Sequence, residues 1–131
     1  TAGLDPAERI RFNNLLSDIS KEKLVILSTH IVGDVSDLCS QMAIMDNGQV
    51  SLQGKPSDLL HNMNGKIWKK QINKDSYNSY MHEYKVIFSQ LFEGKPVIRV
   101  LSEVSPGEGF EVATPSLEDL YFSTIKNLEL C

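Results

Sequence analysis

The sequence has little of what a membrane-spanning, disulfide-bonded or nucleic-acid-binding chain would carry. No apolar run approaches the roughly 20 residues that a helix needs to cross a bilayer, so no transmembrane segment is predicted. Cys39 and Cys131 are the only cysteines, too few for a disulfide framework, and this favours a reducing cytoplasm. Acidic residues outnumber basic ones by 17 to 13. The resulting net charge of -4 argues against a nucleic-acid partner, because such partners need a basic surface.

The remaining composition is that of a folded globular chain. Apolar residues make up 41% and charged residues 23% of the sequence, which is typical of soluble globular proteins. The 131 residues suffice for one ordinary domain or for two very small ones. Because helical and strand-like apolar patterns alternate in the first half, we expect an α/β fold.

The first part of the chain contains two predicted helices around one strand. Asp5 can cap a helix that starts with Pro6, and apolar residues then recur at helical spacing: Phe12, Leu15, Leu16 and Ile19. Residues 24–27 are continuously apolar, which predicts a parallel strand covered on both faces. The second helix is predicted over residues 31–39, with Asp34 facing outward.

A hairpin is predicted next. A short buried strand over residues 42–45 leads into Asn47-Gly48, the dipeptide most typical of a two-residue hairpin turn. Residues 49–53 alternate as the return strand, and Gly54 ends that strand before a short helix that begins at Ser57.

The composition changes near residues 62–65, and we place a domain boundary there. Residues 1–64 then form one unit and residues 65–131 form a small α+β unit of βαββ-like type. The elements expected in the second unit are a strand at 66–72, a helix capped by Asp75, strands at 86–92 and 97–104 joined by a turn at 93–96, a strand at 110–113, and a final helix capped by Ser116.

Aromatic and histidine side chains allow more than one interpretation in the second half. Trp68 and the nearby tyrosines could stack on bases, but in an acidic chain a small aromatic core is favoured, formed with Tyr77, Tyr80 and Tyr84. His61 and His82 are isolated and have no partners at metal-ligand spacing, so no metal site is predicted.

Two motifs stand in a fixed order in the first half. Thr1-Ala2-Gly3-Leu4-Asp5-Pro6 opens the first helix, and Ser28-Thr29-His30 follows the apolar run. In this order and context the chain resembles the ATP-binding subunits of ABC transporters, in which a Gly-Leu-Asp-Pro D-loop opens a helix and the next strand ends at a switch histidine. The resemblance implies the C-terminal fragment of a P-loop NTPase domain followed by an accessory domain. The ending of that domain, Pro115-Ser116-Leu117-Glu118-Asp119, is similar to exporter-type tails.

The resemblance also implies roles for single residues. His30 would contact the γ-phosphate of ATP and help to position the attacking water. Ala2, Gly3, Leu4 and Asp5 would lie at the interface of two ATP-binding subunits and couple their sites. Without the resemblance, His30 could merely cap the next helix or face solvent, and Asp5 could be a helix cap with no other function.

Several parts of such an ATPase are missing from the sequence. It contains no Gly-x-x-x-x-Gly-Lys-Ser/Thr loop, no Leu-Ser-Gly-Gly signature, and no acidic strand end for Mg²⁺ and the catalytic Glu. Phosphoryl transfer depends on phosphate positioning and metal charge. We therefore expect ATP and Mg²⁺ to serve the intact protein, and this chain alone to be inactive. Because the chain starts inside a motif without an initiator Met, we expect it to be a piece of a longer protein.

The resemblance implies partners and a location for the intact protein. These are a transmembrane permease subunit and a second ATP-binding subunit, at the cytoplasmic face of the cell membrane, in transport that is expected to be export. The chain by itself is expected to self-associate through its first 60 or so residues, because the strand at 24–27 would lack neighbours. Two alternatives stay open: a non-catalytic ligand-sensing or protein-interaction module formed mainly after Gly65, and an ABC-type ATPase of translation or DNA repair.

Overall fold

A computed structural model describes residues 3–129, and within that range it contains five α-helices and six β-strands. The helices are α1 (Pro6–Ile19), α2 (Val32–Leu38), α3 (Pro56–His61), α4 (Tyr77–Glu83) and α5 (Leu117–Ile125). The strands are β1 (Met42–Asp46), β2 (Gln49–Gly54), β3 (Ile67–Gln71), β4 (Val86–Phe92), β5 (Lys95–Leu101) and β6 (Glu111–Val112). The mixture of helix and strand is as predicted, but both sheets within the described range are antiparallel.

Strands β1 and β2 form a two-stranded sheet around Asn47 and Gly48. These two residues have positive φ angles of 52° and 75°, as a type I′ turn requires. The predicted hairpin is therefore confirmed. Ile44 of β1 is buried in the larger of the two core clusters, which fixes the hairpin to the rest of the fold.

The four-stranded sheet has the strand order β4-β5-β3-β6. Glu93 and Gly94 connect β4 to β5 with positive φ angles of 50° and 78°. Because Lys95 already pairs with Phe92, β5 begins inside the turn predicted at 93–96, and that turn is only two residues long. β5 ends at Leu101, three residues before the predicted end.

The two predicted helix caps in the second half have different outcomes. Asp75 does not cap α4, because it lies within a 3₁₀ turn, Lys74–Ser76, and α4 follows without a side-chain cap. Ser116 caps α5 as predicted, since its hydroxyl accepts from the Asp119 amide while the Asp119 carboxylate accepts from the Ser116 amide. This capping box fixes the start of α5.

The core consists of two buried clusters on opposite faces of the four-stranded sheet. One is shared by this sheet, the β1–β2 hairpin and α5; its members are Ile44, Met63, Ile67, Ile87, Leu101, Ala113, Leu117 and Leu120. It draws residues from both sides of position 64, and the division into two units there stays a prediction. The second cluster is Ile72, Val86, Ile98 and Val100, with Trp68, Tyr77, Tyr80, Tyr84 and Phe110 packed against it. The predicted aromatic core is thus confirmed.

The predicted strand at residues 24–27 is wrong for the described structure. Leu24 and Ile26 are 89% and 86% exposed, and no described strand pairs with this segment. A parallel strand needs neighbours for its hydrogen bonds and for both of its faces. The helix before it, α1, forms over the predicted residues but buries none of them, and Ile10 and Leu15 stay mainly exposed. Several large apolar side chains of α1 and of residues 24–27 are therefore exposed.

Candidate functional site

Asp5 stands at the start of α1 as its N-cap. Its carboxylate accepts a hydrogen bond from the Glu8 amide at 2.8 Å, and Pro6 occupies the first turn. Before it, Gly3 has a φ of +84° and open space where a Cβ would lie, and Leu4 is 40% exposed. Of the predicted D-loop residues, the structure therefore places Gly3, Leu4 and Asp5 on the surface. Ala2 lies outside the described residues.

His30 is exposed and directly precedes the start of α2. The N-cap of α2 is Ile31, which makes no side-chain cap, so His30 does not cap the helix. The neighbouring Thr29 holds the backbone here, because its hydroxyl accepts a hydrogen bond from the Ile31 amide at 2.9 Å. The imidazole thus projects from an ordered corner between an extended segment and a helix.

An ion pair joins α1, the helix that follows Asp5, to α2, the helix that follows His30. Arg9 Nη2 donates to Asp34 Oδ1 at 2.7 Å, and the Asp34 side chain is fully buried. Thr29 Oγ1 donates to the other carboxylate oxygen of Asp34 at 3.4 Å. Asp34 therefore connects α1, α2 and the residue that precedes His30.

The predicted outward orientation of Asp34 is wrong, and Arg9 is the reason. In a helical projection of α2 alone, Asp34 lies on the side away from the apolar residues. In the structure the Arg9 guanidinium of α1 covers Asp34 on that polar side. Gly33 lies next to this pair, since a Cβ there would be 3.4 Å from Arg9 Nη2, an ordinary contact distance. Burial of a carboxylate is tolerated only when it is paired and hydrogen-bonded.

Cys39 follows α2 and is partly buried. Burial raises the pKa of the Cys39 thiol, and the negative charge of Asp34 acts in the same direction. The thiol therefore stays protonated at neutral pH, whereas a reactive or metal-binding cysteine needs its thiolate.

The donor set of the chain does not complete a MgATP site. Among residues 3–129, no three His, Cys, Asp or Glu side chains lie close enough to hold a metal ion. The sequence has no phosphate-binding glycine loop with its lysine.

Comparison with known proteins gives no match to a protein-family model but several related proteins. The chain is 22% identical to YxlF of Bacillus subtilis strain 168, an uncharacterized ABC transporter ATP-binding protein, in an alignment of 139 positions that covers 95% of the chain. It is 36% identical over 61 residues, 46% of its length, to the Nod factor export ATP-binding protein I of Ralstonia nicotianae. It is 33% identical over 69 residues, 51% of its length, to the energy-coupling factor transporter ATP-binding protein EcfA2 of Clostridioides difficile strain 630. The chain is related to the ATP-binding proteins of ABC transporters.

This relationship confirms the resemblance drawn from the two motifs. The chain spans 47% of the length of YxlF, 19% of the Nod factor export protein and 24% of EcfA2. It is therefore similar to only part of each ABC transporter ATP-binding protein. Within the described residues, no helix is long and apolar enough to cross a membrane.

The motifs of an ABC transporter ATP-binding protein indicated Asp5 and His30 but not the residues that connect them. Arg9, Thr29 and Asp34 carry that connection. Thr29 belongs to the Ser-Thr-His motif, and its role could have been predicted because a threonine can cap a following turn. Arg9 and Asp34 are 25 residues apart, and no local pattern pairs them.

Proposed function

We propose that this chain is the part of an ABC transporter ATP-binding subunit that carries its D-loop, its switch histidine and its accessory tail. In the intact protein, ATP hydrolysis would drive transport through a permease. The relationship to ABC transporter ATP-binding proteins supports this proposal. The observation that carries it is the Arg9–Asp34 pair, which couples the helix behind Asp5 to the helix behind His30.

His30 is the residue proposed to act on the nucleotide. It is exposed, and Thr29 fixes the backbone beside it through the Ile31 amide. A positioned imidazole can donate a hydrogen bond to an oxygen on which charge develops, and such contacts act mainly in the transition state. The nucleotide phosphates and Mg²⁺ would be held by groups that these 131 residues do not include.

The D-loop residues are proposed to contact a second ATP-binding subunit. Leu4 is partly exposed, and Asp5 uses its carboxylate for the cap of α1. The left-handed conformation of Gly3 turns the chain just before them. If a second subunit bound at this loop and displaced it, α1 would move with it. The Arg9–Asp34 pair would transmit that displacement to the segment that bears His30.

Export is the proposed direction of transport, at the cytoplasmic face of a membrane. One relative is named as a Nod factor export ATP-binding protein, and the ending of the chain is similar to exporter-type tails. Residues 65–131 are proposed to regulate or stabilise the dimer of ATP-binding subunits. Ser116 and the buried Asp119 of the tail motif hold the start of α5 on the sheet, where Arg99 Nη2 lies 2.6 Å from Asp119 Oδ2.

A hybrid protein tests the proposal directly. The chain would replace the 139 residues of YxlF that it matches, so that the rest of YxlF supplies the nucleotide-binding part. Circular dichroism first establishes that the hybrid folds. Turnover of ATP by the folded hybrid, and none by the isolated chain, is the expected result. A folded hybrid that binds ATP without any turnover would count against the proposal.

A further inference from the structure

Three hydrogen bonds form a ring of contacts among Thr29, Ile31 and Asp34, the residues on either side of His30. Thr29 Oγ1 accepts from the Ile31 amide at 2.9 Å and donates to Asp34 Oδ2 at 3.4 Å. The Ile31 carbonyl oxygen accepts from the Asp34 amide at 3.1 Å and so completes the ring. The hydroxyl of Thr29 therefore takes part in two of the three bonds.

The chemistry of its two partners fixes how the Thr29 hydroxyl is oriented. A backbone amide only donates and an ionised carboxylate only accepts, whereas a hydroxyl does both. The hydroxyl proton thus points to Asp34, and a lone pair of the same oxygen points to the Ile31 amide. A threonine that accepts from the amide two residues ahead closes a tight turn around the residue between them. That central residue is His30.

The imidazole of His30 depends on this turn for its position. His30 is exposed, and its imidazole makes no hydrogen bond or ion pair with any residue from 3 to 129. Within that range, no side-chain contact of this kind orients the imidazole. The backbone conformation of the turn therefore sets the direction in which the imidazole projects.

The other side of the ring is fixed to the rest of the fold. The Asp34 side chain is fully buried and lies 2.7 Å from Arg9 Nη2. Thr29 and Ile31 are each partly buried. If the hydroxyl were removed, the Ile31 amide would lose its bond to residue 29, and residue 29 would lose its bond to the fixed carboxylate. The turn around His30 would then be free to open.

From this ring we infer that Thr29 is the positioning residue for His30. It acts through the imidazole and not on the nucleotide, because its hydroxyl is used by Ile31 and Asp34. A displacement of about 1 Å can cost a positioned group most of its effect on the rate. The inference rests on the proposed function, since it concerns the turnover that His30 is proposed to support.

The first test is NMR of the full chain without nucleotide. Thr29→Val keeps the shape of the side chain and removes the hydroxyl. It should speed hydrogen exchange of the Ile31 amide about tenfold, the effect of losing one hydrogen bond. It should also lower the backbone order parameter of His30 from about 0.85 to below about 0.6. Thr29→Ser should behave as the wild type, because the hydroxyl returns. Unchanged exchange and order in Thr29→Val would overturn the inference.

The second test measures ATP turnover by the folded YxlF hybrid. Thr29→Val should lower kcat about tenfold and leave the KM for ATP within about twofold, and Thr29→Ser should restore kcat. In a hybrid that carries His30→Ala, Thr29→Val should have no further effect, because the group that it positions is gone. An equal loss of kcat with and without His30 would mean that Thr29 has only a structural role, and the inference would be wrong.

Ser20→Ala is the matched control. Ser20 Oγ also makes a local hydrogen bond, to the Ser17 carbonyl oxygen at 2.7 Å, but at the C-terminal end of α1. Its removal should leave both kcat and the order parameter of His30 unchanged. An unmodified hybrid that folds and binds ATP without turnover would count against the proposed function, and the NMR test would still decide whether Thr29 positions His30.

Discussion

Arg9 Nη2 lies 2.7 Å from Asp34 Oδ1, across 25 residues of sequence. The carboxylate is completely buried, whereas the guanidinium side chain keeps 35% of its exposure. Thr29 contacts the same carboxylate, so the corner that presents His30 is fixed to α1 as well as to α2. Asp34 therefore joins α1, which Asp5 caps, to the residue that precedes His30.

Arg9→Met should lower the free energy of unfolding by about 2 kcal/mol. The substitution keeps an unbranched side chain but removes the guanidinium, and breaking a buried pair costs about 3–5 kcal/mol. The partial exposure of Arg9 reduces that cost. Urea unfolding followed by circular dichroism, at one low chain concentration, measures the change.

The Asp18–Lys21 pair is the matched control for Arg9. It is also an ion pair, at 3.1 Å, but both side chains are more than 70% exposed. Asp18→Asn should change the unfolding free energy by less than about 0.5 kcal/mol. Arg9→Met combined with Asp34→Asn should cost less than the two single changes added together. Strictly additive losses would show that the two residues do not interact.

Alkylation of Cys39 should be slow in the folded chain. Burial and the charge of Asp34 raise the pKa of its thiol, so the reactive thiolate is scarce at pH 8. With Cys131→Ser removing the other thiol, iodoacetamide should modify the native chain more slowly than the chain in urea. Because the folded pKa is the higher one, this group's contribution to stability is present below the unfolded pKa of about 8.5 and is lost as the pH rises through the folded pKa. Equal alkylation rates in both states would contradict the assignment.

Features with local signals could be predicted from the sequence. The Asn47-Gly48 turn, the Asp5 cap of α1 and the Ser116 cap of α5 each depend on residues within a few positions of one another. The order of the two motifs along the chain is also local: Gly3, Leu4 and Asp5 precede α1, and His30 precedes α2.

Features that depend on distant partners could not be predicted. Residues 24–27 have the composition of a buried parallel strand, yet no described strand lies beside them. The helical pattern of α2 predicted that Asp34 faces outward, because that pattern holds no information about its ion-pair partner Arg9. The contact between Lys70 and Tyr80 has a related reason: only the folded sheet shows that Lys70 Nζ lies 5.0 Å from the centre of the Tyr80 ring.

His30→Ala should lower ATP turnover of the YxlF hybrid about 10²- to 10³-fold. The imidazole is expected to act as charge accumulates on the γ-phosphoryl group, so nucleotide affinity should change little. Turnover and affinity are measured side by side. His82→Ala removes another exposed imidazole, on α4, and should leave turnover intact. Equal turnover of the His30→Ala hybrid and the unmodified hybrid would remove His30 from the mechanism.

The isolated chain should not bind MgATP with micromolar affinity. It lacks the glycine loop whose amides and lysine supply most phosphate contacts, and residues 3–129 hold no metal-binding cluster. Calorimetric titration is the measurement. Micromolar binding would mean that the chain contains its own nucleotide site.

The chain should self-associate through the apolar surface formed by α1 and residues 24–27. Leu24 and Ile26 are almost fully exposed, and burying one such side chain is worth about 1.5–3 kcal/mol, or tenfold or more in affinity. Light scattering over a dilution series should show a dimer or larger species that Leu24→Lys with Ile26→Lys dissociates. Val104→Lys is the control, because Val104 is 71% exposed but lies in the other half of the chain. A monomer at high concentration would show that this surface has no affinity for itself, and a dimer dissociated equally by Val104→Lys would place the contact outside the first 60 or so residues.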